Sequence, residues 1–221
     1  SVLAAPLVLE SAPQRVSLIE LYTSEGCSSC PPAEAWFSKL KNEAGLWKNF
    51  VPVSFHVTYW DYIGWKDRFG SKKYDARQNS YAAAWHSSTV YTPEFVQNGK
   101  ELKERKVPSA SKTSVGVLKA TLDEKRALTV SFQPNASGKK YEVYAVLLGG
   151  DLESSVKAGE NSGRKLRHDF VALSFQSEKL NSEGEGKLTL PAALAGEKGL
   201  AVWVTEANDL QPVQAVGGWL K

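Results

Sequence analysis

The sequence predicts an α/β unit followed by a small antiparallel, β-sandwich-like unit, and three observations carry that reading. A strand, an amphipathic helix and a second strand open the chain in that order, which is the pattern of a βαβ unit. Asn98-Gly99 lies between two short β-rich segments, a strong hairpin signal. Beyond Asp123 the recurrence of apolar residues changes from helical spacing to strict alternation, as antiparallel strands require. The expected units are residues 1–123 and 124–221.

Composition bounds the function. With 221 residues, 42% hydrophobic and 23% charged, the chain can bury an ordinary core. Its 27 Lys and Arg against 24 Asp and Glu give only +3, and no basic tract offers the electrostatic footprint of a nucleic-acid binder. No apolar run approaches the roughly 18 residues of a membrane span, so membrane insertion is not expected.

The elements follow in order. Val2 to Leu9 is apolar and reads as the tail of an export signal or as an edge strand. Val16 to Tyr22 is β-rich and nearly all apolar, which suits a strand buried on both faces. Ala33, Trp36, Phe37 and Leu40 recur at helical spacing, and Val51, Val53, Phe55 and Val57 alternate along a strand that runs to Tyr59,. An aromatic segment, Trp60 to Asp67, leads to a helix expected from Asp75 to His86. Thr92-Pro93 precedes the short strand Glu94 to Gln97, and after the Asn98-Gly99 turn Lys100 to Val107 returns. Ser109 and Ser111 are candidate caps for a last helix with a stripe of Val115, Leu118 and Leu122,. Strands are then expected at 127–132, 141–148, 170–175, 187–190, 201–205 and 212–219.

The chemistry centres on the two cysteines, Cys27 and Cys30. A dithiol with a two-residue spacer, after a buried strand and at the first turn of a helix, meets unpaired amides and a partial positive charge that favour a thiolate. Cys27 is the expected nucleophile. Cys30, one turn along, is placed to resolve a mixed disulfide. Pro31 and Pro32 are tolerated because first-turn amides have no intrahelical partner to lose. Far away in sequence, Thr92-Pro93 is where a cis peptide would turn the chain beside the dithiol.

Strand, Cys-x-x-Cys helix, strand, helix, Thr-Pro, hairpin and helix together resemble the thioredoxin-like superfamily. In that superfamily the proline is cis and abuts the two sulfurs, which carries over to Cys27, Cys30, Thr92 and Pro93. Gly26 and Ser28-Ser29 depart from it, standing where ordinary thioredoxins have Trp and Gly-Pro. The strings Glu20 to Glu34, Tyr59 to Asp67, Arg77-Gln78 and Tyr91-Thr92-Pro93, and more weakly Gly159-Glu160-Asn161, are similar to a family of uncharacterised secreted bacterial proteins with this fold. The resemblance implies a thioredoxin-like first unit and a periplasmic or secreted location. The dithiol itself points to thiol–disulfide exchange with protein or small-molecule thiols, and because it is its own redox group no diffusible cofactor is expected.

Other readings stand beside it. A structural disulfide across about 4 residues is worth only roughly 2 kcal/mol in the chain-entropy estimate, a poor use of the spacing. A redox-inert binding module would recognise a protein or glycan through the aromatic segment. A copper or zinc site would need His56 and His86 beside Cys27 and Cys30, since two thiolates are too few ligands. Glu20, seven residues before Cys27, is a candidate buried carboxylate, and Trp60, Asp61 and Trp65 are candidate substrate contacts after the second strand. Asp67 belongs to the same segment, and Arg77 and Gln78 are candidates to hold it. The charged stretch Asn161 to His168 is given no role.

Overall fold

A computed structural model describes residues 5–220, so Val2 to Ala4 of the apolar opening lie outside the described residues. Two α-helices, α1 (Cys30–Lys39) and α2 (Lys72–Ala84), accompany many strands. In chain order these are β1 (Leu7–Glu10), β2 (Ser17–Thr23), β3 (Phe50–His56), β4 (Glu94–Gln97), β5 (Lys100–Glu101), β6 (Gly116–Leu122), β7 (Ala127–Pro134) and β8 (Tyr141–Gly149). There follow β9 (Leu152–Ser155), β10 (Lys165–His168), β11 (Val171–Ala172), β12 (Gln176–Lys179), β13 (Glu185–Thr189), β14 (Glu197–Glu206) and β15 (Pro212–Trp219). The fold is mixed α/β, with few helices and many strands in several sheets.

Every residue of β2 and β3 is buried, as their unbroken apolar runs require of central strands. They pair in parallel, Leu21 against Ser54, and β2 pairs antiparallel with β4 on its other side. Successive β2 side chains serve opposite faces. Glu20 and Tyr22 meet Arg77 and Tyr81 of α2, whereas Thr23 meets Glu34 of α1. Asn98 and Gly99 turn the β4–β5 hairpin with φ of 50° and 79°, the left-handed pair a two-residue hairpin favours. The return strand is only Lys100–Glu101, shorter than its sequence suggests.

The principal sheet runs β15-β14-β8-β11-β3-β2-β4-β5, with β12 also on β8. It therefore crosses the expected boundary at 123/124. β11 lies parallel to β3, Val171 opposite Ser54, and antiparallel to β8. A second sheet, β1-β6-β7-β13, covers one face of the β8–β14–β15 end. Alternation along β8 divides its side chains between two cores. Val143, Ala145 and Leu147 face the second sheet, while Val146 and Leu148 join the core containing β2 and β3.

The last expected helix is instead β6. Leu118, Ala120 and Leu122 are buried at a period of 2 and pair with β7, while β1 pairs along its other edge. Val115, Leu118 and Leu122 fit a helical stripe, but two available strand neighbours decide the backbone. Leu7 to Leu9 accordingly form an edge strand.

Candidate functional site

The C-terminal end of β2 delivers the chain to Cys27, and α1 begins at Cys30 with Pro31 and Pro32 in its first turn. The two cysteines form a disulfide. Gly26 permits a close crossing with the aromatic segment, since a Cβ there would lie 2.9 Å from Cβ of Trp60. The Thr92–Pro93 peptide is cis, and the Thr92 carbonyl oxygen is 3.7 Å from Sγ of Cys27. The structure thus brings together Cys27, Cys30, Thr92 and Pro93. Cys27 is only 1% exposed, while Thr92 and Pro93 remain half-buried.

Two devices hold the Thr92–Pro93 turn. Trp60 Nε1 donates to Thr92 Oγ1 at 2.8 Å, and Gln78 Nε2 donates to the Tyr91 carbonyl at 2.8 Å and to Glu94 at 2.7 Å. Gln78 is therefore a positioning residue for this turn. Trp65 is tied inward by Nε1 to Glu25 at 2.7 Å, and Asp61 accepts from the Asp67 amide at 3.2 Å. Their polar groups serve the loop's own packing, leaving Tyr62 as the exposed aromatic, 82% accessible.

Glu20 lies elsewhere. It is buried on the α2 face of β2, where Arg77 Nε and Nη2 donate to it at 2.7 and 3.0 Å and Tyr81 and Tyr22 add hydroxyls. That places it across the sheet from α1, engaged in an ion pair. His86 sits beyond the end of α2 and is exposed. His56 is fully buried, with its Nδ1 2.7 Å from Asp67. The structure gathers His56 with Glu34 and His168 rather than with the sulfurs and His86.

Glu34 and His168 are the functional candidates that sequence reasoning missed. His168, on β10, bonds through Nδ1 to Glu34 and has Nε2 3.2 Å from Glu25. Burial alone would lower the His168 imidazole, but Glu34 and Glu25 on either side raise it to about 10. Burial likewise opposes ionisation of Glu25 and Asp67. The neighbouring His168, with Ser154 and Trp65, outweighs it at Glu25, and His56 with two backbone amides outweighs it at Asp67, so both carboxyls are held below their usual values. The available signal was that the chain has three histidines, one inside a stretch that otherwise reads as solvated charge.

Asn161 joins this network to the disulfide. It is fully buried, and its Nδ2 donates to the carbonyls of Glu25 and Cys27, each at 2.9 Å. Glu160 accepts from the Ser28 amide at 3.0 Å. The turn around residues 156–164 thereby clamps the segment leading into the dithiol.

Glu94, next to Pro93, is 3% exposed. Burial, with Glu101 and Glu20 nearby, pushes its carboxyl up to about 6 against the pull of the Gln78 bond. The folded chain holds this proton more tightly than the unfolded chain. Its contribution to stability is therefore greatest below the unfolded value of 4.5 and is lost as pH rises through about 6,. Glu94→Gln, which keeps an acceptor for Gln78, should remove on the order of 1 kcal/mol of that fall. The check is the difference between wild-type and variant urea unfolding from pH 4 to 7; equal slopes would show that Glu94 does not titrate there.

Two solved structures are similar over nearly the whole chain. The crystal structure of a structural-genomics target from Agrobacterium tumefaciens has 24% identity and a TM-score of 0.67, covering 95% of this chain and 96% of that one. HBP35 of Porphyromonas gingivalis has 12% identity and a TM-score of 0.60, covering 95% and 76%. At such identities they are similar in fold alone. No curated protein matches the chain. A family model described as protein of unknown function (DUF1223) matches residues 18–205, which is most of the chain, and the protein belongs to that family.

Proposed function

We propose that the protein is an exported thiol–disulfide oxidoreductase whose residues 1–123 form a thioredoxin-like unit, with a sheet extended by strands of residues 124–221. The observation that carries this reading is the Cys27–Cys30 disulfide at the start of α1 with the Thr92 carbonyl 3.7 Å from Cys27 Sγ. An oxidising compartment, periplasmic or extracellular in a bacterium, keeps such a disulfide formed.

In the oxidising direction a partner thiolate attacks Cys27 Sγ, a mixed disulfide forms, and Cys30 leaves as a thiolate. The partner's second thiolate then attacks its own sulfur in that bond. The partner becomes a disulfide, and two electrons and two protons end on Cys27 and Cys30. The reducing direction is the reverse: Cys27 thiolate attacks a partner disulfide and Cys30 resolves the mixed species. The partners are protein or small-molecule thiols and disulfides, and the dithiol is the redox group.

Disulfide-transfer and insulin-type reductase assays test the proposal. Cys27→Ser should reduce turnover to the uncatalysed rate, and Cys30→Ser should accumulate a mixed disulfide on Cys27. Turnover unchanged in Cys27→Ser removes the enzyme. The redox potential of the pair decides which direction dominates.

A further inference from the structure

His56 at the end of β3, His168 at the end of β10 and Glu34, one turn into α1, converge in the interior. One potential ligand atom from each lies within 4.8 Å of the others, and all three residues are buried. The arrangement around His56 is specific. The 2.7 Å contact with the Asp67 carboxylate engages Nδ1 of His56 and leaves Nε2 as the other ring nitrogen, the one that could serve a ligand. Nε2 is buried with no hydrogen-bond partner among the described residues, on a side chain that is 0% exposed. A buried nitrogen without a partner is costly, and a carboxylate on the far nitrogen is how proteins orient metal-binding imidazoles. Glu25, with one oxygen 3.2 Å from His168 and also without a hydrogen-bond partner at that oxygen, adds further negative charge and another oxygen donor.

We propose that Glu34, His56 and His168 form a binding site for one divalent zinc-type cation, with Asp67 orienting His56. Two imidazoles and one carboxylate are a ligand set zinc accepts, with a fourth position for Glu25 or water, and binding displaces to solvent the proton that His168 shares with Glu34, since a ligating imidazole nitrogen carries no proton. A divalent ion would also offset the three carboxylates of Glu25, Glu34 and Asp67 in a site shielded from solvent. The site uses neither sulfur, so it stands whether or not the dithiol is redox-active.

The test is zinc binding by the full chain, stripped of metal and kept oxidised, followed by calorimetry and elemental analysis. Wild type should bind one zinc per chain, and so should the Cys27→Ser/Cys30→Ser double variant. His56→Gln and His168→Gln should lose the site, and Asp67→Asn should weaken it about 10- to 100-fold. Folding of each variant is checked by circular dichroism. X-ray absorption on zinc-loaded wild type needs no variant: it should show nitrogen and oxygen neighbours at about 2.0–2.2 Å and no sulfur near 2.3 Å. Absence of stoichiometric zinc, a sulfur shell, or loss of binding on His86→Ala with retention on His56→Gln would each overturn the proposal.

Discussion

Arg77→Met should lower the unfolding free energy by about 3–5 kcal/mol, the cost of leaving a buried charge without its partner. Arg77 and Glu20 have side chains 5% and 0% exposed and are joined by two bonds, with hydroxyls of Tyr81 and Tyr22 completing the carboxylate's shell. Burial would push the guanidinium down, but Glu20 beside it raises it well above its ordinary value. The guanidinium carbon also lies 5.1 Å from the ring centres of Tyr81 and Trp203, so the pair links α2 and β2 to β14. Removing Arg77 leaves Glu20 facing aromatic carbon with only hydroxyls for company. The double variant Glu20→Met/Arg77→Met removes both charges and should be less destabilised than the sum of its singles. Urea unfolding of the four proteins gives the coupling. A single variant within 1 kcal/mol of wild type would show that this pair is dispensable.

That ion pair also shows where sequence reading stops. Glu20 and Arg77 were each visible, but their pairing depends on which face of β2 meets α2, and a near-continuous apolar strand does not mark its faces. The local signals were legible: two buried strands, the proline-led helix, the Asn98-Gly99 turn and the dithiol ahead of α1. Each is written in a few neighbouring residues. β6 was misread because Leu118 and Leu122 satisfy helical and strand periods alike, and the alternating Ala120 is a weak apolar marker. The continuous sheet was hidden for a different reason. The two residues of β11 carry the junction between β3 and β8, too short a segment to announce a parallel pairing more than a hundred residues back. His168 and Glu34 were missed because a buried charge cluster is built from residues that, taken singly, resemble solvated surface.

Asn161→Ala should speed reduction of the Cys27–Cys30 disulfide by a small thiol about 10- to 100-fold, the effect of easing a local opening by roughly 1.5–3 kcal/mol. Thiol attack requires a sulfur to approach Cys27 Sγ, yet Cys27 is 1% exposed. Reaction must therefore pass through a state in which something moves. The turn around residues 156–164 is the element that ties down the segment carrying Cys27, through Asn161 to the carbonyls of Glu25 and Cys27 and through Glu160 to the Ser28 amide. Ala at position 161 removes both carbonyl contacts while leaving the sulfurs and the Thr92–Pro93 turn in place. When opening and closing outrun the chemistry, the observed rate follows the population of the open form. Glu160→Gln, on an exposed side chain, should change the rate far less. Alkylation of released thiols, timed by mass spectrometry under limiting dithiothreitol, measures all three proteins. Equal rates for wild type and Asn161→Ala would mean that the sulfurs are reached past Pro93 instead, without movement of the clamp.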